Sequence, residues 1–283
     1  MAYLIAHIIS VTLFSLCYKS AKSKRDFYTP AVHLNMYLFA LAAAAVLVFH
    51  VLGFMSQPRL IFLGVCGGVC LCVAMRAFFF AMAQGGLAVG WTFVGLSVVI
   101  PLLASIFLWD EMPGQFQVIG LVLMIPCIVL FGDLHLQVEG SRKRWLVLVT
   151  IASLTTGVAQ TLGKAISVYS FDDRAQLIFN YLFWVYVSGV LILFLLGEGK
   201  HWKLRAPETG LGIVMGCLNI VGMCTFVMAL EHMEGIVFFP MKTVFNIGLT
   251  ALLAVFIWKE EVTARQIVGI ITGAVASMLV NIS

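Results

Sequence analysis

The chain has 283 residues, 62% hydrophobic and 11% charged, with mean hydropathy +1.06. That composition excludes an ordinary soluble domain. The net charge of +4 lies in short, separate clusters beside apolar runs, which anchor a chain against anionic lipid and exclude nucleic acid as a partner.

A bilayer core of about 30 Å takes roughly 20 apolar helical residues to cross. Ten stretches meet that need, at 2–18, 30–53, 60–83, 86–108, 115–132, 145–168, 176–197, 209–230, 235–258 and 266–282. The expected fold class is therefore all-α and polytopic. The first stretch is followed by Lys19, Lys22, Lys24 and Arg25, the reverse of a cleaved signal peptide, so it is expected to be a retained helix. All seven cysteines fall inside spans, where they read as small packing residues; a metal cluster at Cys66, Cys70 and Cys72 has no His or carboxylate to complete it.

Loops after odd-numbered spans carry twelve Lys and Arg: Lys19, Lys22, Lys24, Arg25, Arg142, Lys143, Arg144, Lys200, Lys203, Arg205, Lys259 and Arg265. The opposite loops carry two, Arg59 and Arg174. The positive-inside rule then puts both termini outside the cytoplasm.

The halves 1–135 and 136–283 align by hand. Lys19 and Asn35 match Lys164 and Asn180 at an offset of 145, and Gly64 and Gly68 match Gly212 and Gly216 at 148. Trp109, Glu111, Gln117 and Gly120 match Trp258, Glu260, Gln266 and Gly269 at 149. Because five spans is an odd number, the second copy enters the membrane from the other side. This predicts two inverted five-helix repeats, the architecture in which a central site is exposed to alternate sides by rocking one half against the other.

The turn Trp109-Asp110-Glu111 followed by Gln117-Val118-Ile119-Gly120, and its echo Trp258-Lys259-Glu260-Glu261 with Gln266-Ile267-Val268-Gly269, resemble the EamA-type members of the drug/metabolite transporter superfamily. The resemblance spans essentially the whole chain. It implies ten helices around a central cavity lined chiefly by helices 1, 3, 4, 6, 8 and 9. Many bacterial members of that superfamily are expected to keep both termini in the cytoplasm, a departure from the charge count here.

Gly64-x-x-x-Gly68, Gly86-x-x-x-Gly90, Gly212-x-x-x-Gly216 and Gly269-x-x-x-Gly273 place small residues on one helix face, which permits close helix approach in lipid. Pro101 and Pro240 lie within spans and bend them. Trp109, Trp145, Trp202 and Trp258 flank span ends, as an interfacial aromatic belt requires.

Ionisable groups inside a bilayer are expensive and mark functional sites. All thirteen carboxylates fall in loops or at span ends, whereas Arg76 and Lys242 lie about seven residues inside their spans, roughly 10 Å deep at 1.5 Å per residue, and Lys164 lies near the end of span 6. Cations without counter-charges await an anionic group on a solute. Lys242, Asn246 and Thr250 form one helical stripe; Ser153, Thr156, Gln160 and Lys164 form another. The candidate substrate-binding residues are Arg76, Lys242, Asn246, Gln160, Thr156, Trp91 and Lys164, with His7 the candidate for proton coupling. The bland alternatives are snorkelling of the long cations, cross-helix bonding for Asn35 and Asn180, and a satisfied buried imidazole for His7.

The expected function is secondary active transport of a small polar, anionic or zwitterionic metabolite, an amino acid or organic acid, across a plasma membrane of bacterial inner-membrane type. A translocase of lipid or of a phosphorylated metabolite is the alternative. The absence of deep carboxylates argues against proton-coupled export of cationic drugs, and no protease motif supports a membrane enzyme. The expected partners are a solute, the bilayer and a coupling ion or counter-substrate, with a homodimer compatible; no cofactor or metal is expected.

Overall fold

In the computed structural model, residues 1–23, 29–84, 94–131, 141–196, 206–258 and 264–280 are described, and all regular structure among them is helical. The α-helices are α1 (Ala2–Ser23), α2 (Thr29–Leu47), α3 (Pro58–Gln84), α4 (Val99–Trp109), α5 (Gln115–Phe131), α6 (Arg142–Ser167), α7 (Arg174–Leu195), α8 (Ala206–His232), α9 (Gly235–Trp258) and α10 (Ala264–Val280). A π-helical turn, Val48–Leu52, extends α2, and a 3₁₀ turn, Leu96–Val98, leads into α4. Every expected span holds a helix, with ends shifted by a few residues. The first part of the fourth, including Gly86, Gly90 and Trp91, lies outside the described residues.

Five helical stretches are long and apolar enough to cross a membrane: Ala31–Leu52, Pro58–Phe78, Arg142–Ser167, Arg174–Leu195 and Pro207–His232. Five further stretches among the described residues are apolar but shorter. Helices of this length and composition point to a membrane-embedded protein.

The chain divides into two compact units, one of Met1–Cys72 with Leu162–Glu231, the other of Val73–Thr161 with His232–Ser283. Each unit draws on both halves of the sequence.

In the first unit, α2 packs along α7. Glycines set the approach of the flanking helices. A Cβ on Gly64 would lie 2.6 Å from Trp184 Cβ and 3.0 Å from the Tyr181 carbonyl oxygen, and one on Gly68 would collide with the Val185 carbonyl and Ser188. On the other side, a Cβ on Gly216 would lie 2.9 Å from Phe39 Cδ1 and 3.1 Å from the Met36 carbonyl oxygen, with Gly212 against Asn35 and Val32. Met36 and Phe39 stand 145 residues before Tyr181 and Trp184. The glycine face of α3 thus rests on α7 where the glycine face of α8 rests on the corresponding turn of α2.

Asn180 fixes the turn between α2 and α3. Its Nδ2 donates to the Gly53 carbonyl at 3.0 Å, and its Oδ1 accepts from the Met55 N–H at 2.8 Å. Gly53 carries φ +90, a conformation costly to any residue with a Cβ. At the far end of α6, Arg174 donates to the Tyr169 carbonyl at 2.6 Å and lies 3.6 Å from Glu231 Oε1.

In the second unit the most extensive packing is between α5 and α10, where a Cβ on Gly120 would lie 2.7 Å from Val280 Cγ2 and 2.8 Å from the Ala276 carbonyl oxygen. Helix α9 packs on α4, α5 and α10. Trp145 is not an interfacial anchor; it is fully buried, packed with Ala81 and Val149, because the alanine's small side chain leaves room for an indole beneath α3.

Candidate functional site

The turn after α4 sets up the second unit. Asp110 adopts the left-handed conformation, φ 53, which ends α4 and is tolerated by a short polar side chain. The reversal presents Glu111, whose Oε2 accepts from the Ile236 N–H at 3.0 Å at the start of α9. A carboxylate there satisfies an orphan donor and complements the positive end of the helix. Gln117 does similar work for its own helix, its Oε1 accepting from the Gly114 N–H at 2.8 Å. The motif that carries the family resemblance is therefore, in Glu111, Gln117 and Gly120, an instruction for helix assembly; the side chains of Gln266 and Trp258, and residues 259–261, lie outside the described set.

Helix α9, held in this way, is buried on nearly every side from Gly235 to Val244. Lys242 stands in that stretch with 7% of its surface exposed. Its Nζ lies 5.5 Å from the Phe239 ring centroid and 5.8 Å from that of Phe238. Helical side chains lean towards the N-terminus, which brings the ammonium back over these two rings, and the π faces attract the charge they shelter. Pro240, inside the same helix, contributes no N–H to it. Asn246 and Thr250 continue the stripe and are partly accessible.

Arg76 stands in the C-terminal part of α3 and is partly accessible, its guanidinium 5.2 Å from the centroid of the exposed Phe80, one turn on. Thr156 and Gln160 lie on α6, where Gly157 gives close approach to Ile100 and to the Ser97 carbonyl at the start of α4. Helix α9 also packs on α4 and its 3₁₀ lead-in. The buried Oε1 of Gln160 has no hydrogen-bond partner among the described residues, an acceptor left open for an N–H or O–H of a ligand or water.

Five candidates, Arg76, Lys242, Asn246, Thr156 and Gln160, thus belong to the second unit. Lys164, with 1% of its surface exposed, and His7 belong to the first, and Trp91 lies outside the described residues. His7 Nδ1–H donates to the Gly222 carbonyl at 2.8 Å on α8, and its ring stacks at a tilt on Phe226, 5.5 Å between centroids. One ring nitrogen is committed to holding α1 against α8.

Two features escaped sequence reasoning. Glu208 stands at a span end as expected, yet only 2% of its surface is exposed; it occupies the first turn of α8, where the helix dipole favours a carboxylate. Tyr186 donates its hydroxyl to Asn219 Oδ1 at 2.8 Å, a pair formed near the midpoints of α7 and α8. The signal for the pair was legible as two neutral polar residues in mid-span, but a search for charge passes over both.

No family model and no curated protein matches the chain. A solved structure described simply as a crystal structure of a protein is similar over 100% of this chain and 99% of its own, with TM-score 0.73 and 13% identity. The overall fold is therefore one that recurs among solved structures.

Proposed function

We propose that the chain is a secondary active transporter of the drug/metabolite transporter type. In this reading ten spans form two inverted five-helix repeats, and the solute is a small anionic or zwitterionic metabolite, an amino acid or organic acid. The observation that carries it is the reciprocal packing of corresponding helices: α3 on α7 as α8 on α2, with α2 on α7, α4 on α9 and α5 on α10 each pairing counterparts from the two halves. A pseudo-two-fold axis generates such pairs, and alternating access uses that axis to exchange two equivalent states.

The substrate class is supported by Lys242, buried and the one charged residue in the sequence of α9, and by the open acceptor on Gln160. A carboxylate suits the first and an ammonium the second, so amino acids lead. Arg76 offers a second cation, and Asn246 and Thr156 supply hydrogen bonds.

The test is counterflow in proteoliposomes loaded in turn with L-leucine, L-glutamate, succinate, glycerol 3-phosphate and choline. Exchange of an amino acid or dicarboxylate, lost in Lys242→Met, is the expected result. Exchange of choline alone, or headgroup-dependent movement of lipid without solute exchange, would overturn the assignment.

A further inference from the structure

The Tyr186–Asn219 pair lies at an anomaly in the burial of α8. Helical periodicity places Gly212, Met215, Gly216, Asn219, Gly222, Met223 and Phe226 along one side of this helix. Outward from it stand Ile213, Val214 and Val221, exposed by 39%, 48% and 48%. Along the inward side Met215 and Phe226 are buried, as are Gly212, Gly216 and Gly222, which meet α2 and α1. Asn219 is at the middle of that side and yet remains partly accessible, as do Leu218 and Ile220 beside it and Met223 one turn further. Accessible surface in the centre of a buried face borders an interior space.

The facing helix repeats the pattern. On α1, Val11 lies 3.8 Å from where a Cβ on Gly222 would stand; it is partly accessible although Ser10 and Thr12 beside it are buried. Behind the space, Tyr186 is fully buried and its hydroxyl engages Asn219 Oδ1, so the amide plane is fixed and its two Nδ2–H groups are not spent on the pair. Apolar voids stay dry, but one with an amide at its wall holds water or a ligand oxygen.

We infer that Asn219, oriented by Tyr186, is a solute-binding residue whose Nδ2–H groups receive a carboxylate or carbonyl oxygen at mid-depth of the first unit, beside an apolar wall of Val11 and Met223. The chemistry fits an acid or amino acid with a short apolar body. The inference rests on the transport reading above and adds a contact that none of the charged residues supplies. Tyr186 is a positioning residue, since its hydroxyl acts through the amide.

Two measurements separate this from the transport reading. The first uses full-length protein whose native cysteines are replaced by alanine, with a membrane-impermeant methanethiosulfonate as the probe. Asn219→Cys is expected to react from water and Val221→Cys, on the outward face, is not; Met223→Cys gives the same reading where Asn219→Cys does not fold. This arm needs no transport, so it stands even for a protein that exchanges none of the solutes tested. Failure of both inward cysteines to react would overturn the space itself.

The second measurement is L-leucine and L-glutamate uptake by Asn219→Leu and Tyr186→Phe. Loss of hydrogen bonds to a carboxylate is expected to raise KM about tenfold or more in Asn219→Leu at similar maximal rate, and less in Tyr186→Phe. An unchanged KM in Asn219→Leu, with wild-type uptake intact, would overturn the subsite and leave the transporter assignment in place.

Discussion

The carboxylate of Glu111 accepts the Ile236 N–H at 3.0 Å, so a turn at the end of α4 caps the helix that carries Lys242. The two residues are 125 apart in sequence. Before this contact the sequence offered Glu111 only as part of a motif; the contact gives the motif a mechanical purpose, the placement of α9.

Removing that cap has a defined consequence. Glu111→Ala is expected to lower stability by about 1 kcal/mol, as for other N-terminal caps, with Glu111→Gln closer to wild type because its amide oxygen still accepts. Thermal unfolding of the purified protein in detergent measures both.

The glycine faces make a second prediction. Gly68→Ala drives a methyl into the Val185 carbonyl, a backbone group that cannot swing aside. A loss of about 1–3 kcal/mol is expected, typical of overpacking. Gly210→Ala, where nothing lies within 4 Å, is the control and is expected to be neutral or slightly stabilising in the same unfolding assay.

Lys242 separates stability from function. Lys242→Met keeps most of the side-chain volume and removes a buried charge whose desolvation is costly, so the variant is expected to unfold at the same temperature or higher. Uptake of an anionic or zwitterionic solute is expected to fall by tenfold or more, about 1.4 kcal/mol of lost binding. A variant equally active and equally stable would make the lysine a bystander.

The charge distribution predicts sidedness. With twelve Lys and Arg in one set of loops against two in the other, cysteines added at either terminus are expected to react with impermeant thiol reagents in intact cells. Reaction only after permeabilisation would place both ends in the cytoplasm.

His7 and Asn180 mark how far residue-type reasoning reaches. By residue type each fits either polar machinery or a satisfied interior group, and each holds a backbone group in place, at Gly222 and at Gly53 with Met55. Trp145 shows the limit more sharply: an indole near a helix end fits an interface or a core equally well, and only the presence of Ala81 opposite decides for the core.

What the sequence determined by itself was the helical class and the placement of its helices, because burying a backbone in an apolar solvent leaves few options besides the helix and the length of an apolar run then marks its extent. It also marked the glycines, since close approach in lipid needs residues without bulk. What only the tertiary structure decided was which helix each glycine face meets, which carboxylate caps which helix, and that Asn219 stays partly accessible on a side of α8 that is otherwise largely buried. Those facts depend on pairs of residues more than a hundred positions apart, or on accessibility, and neither leaves a periodic trace along the chain.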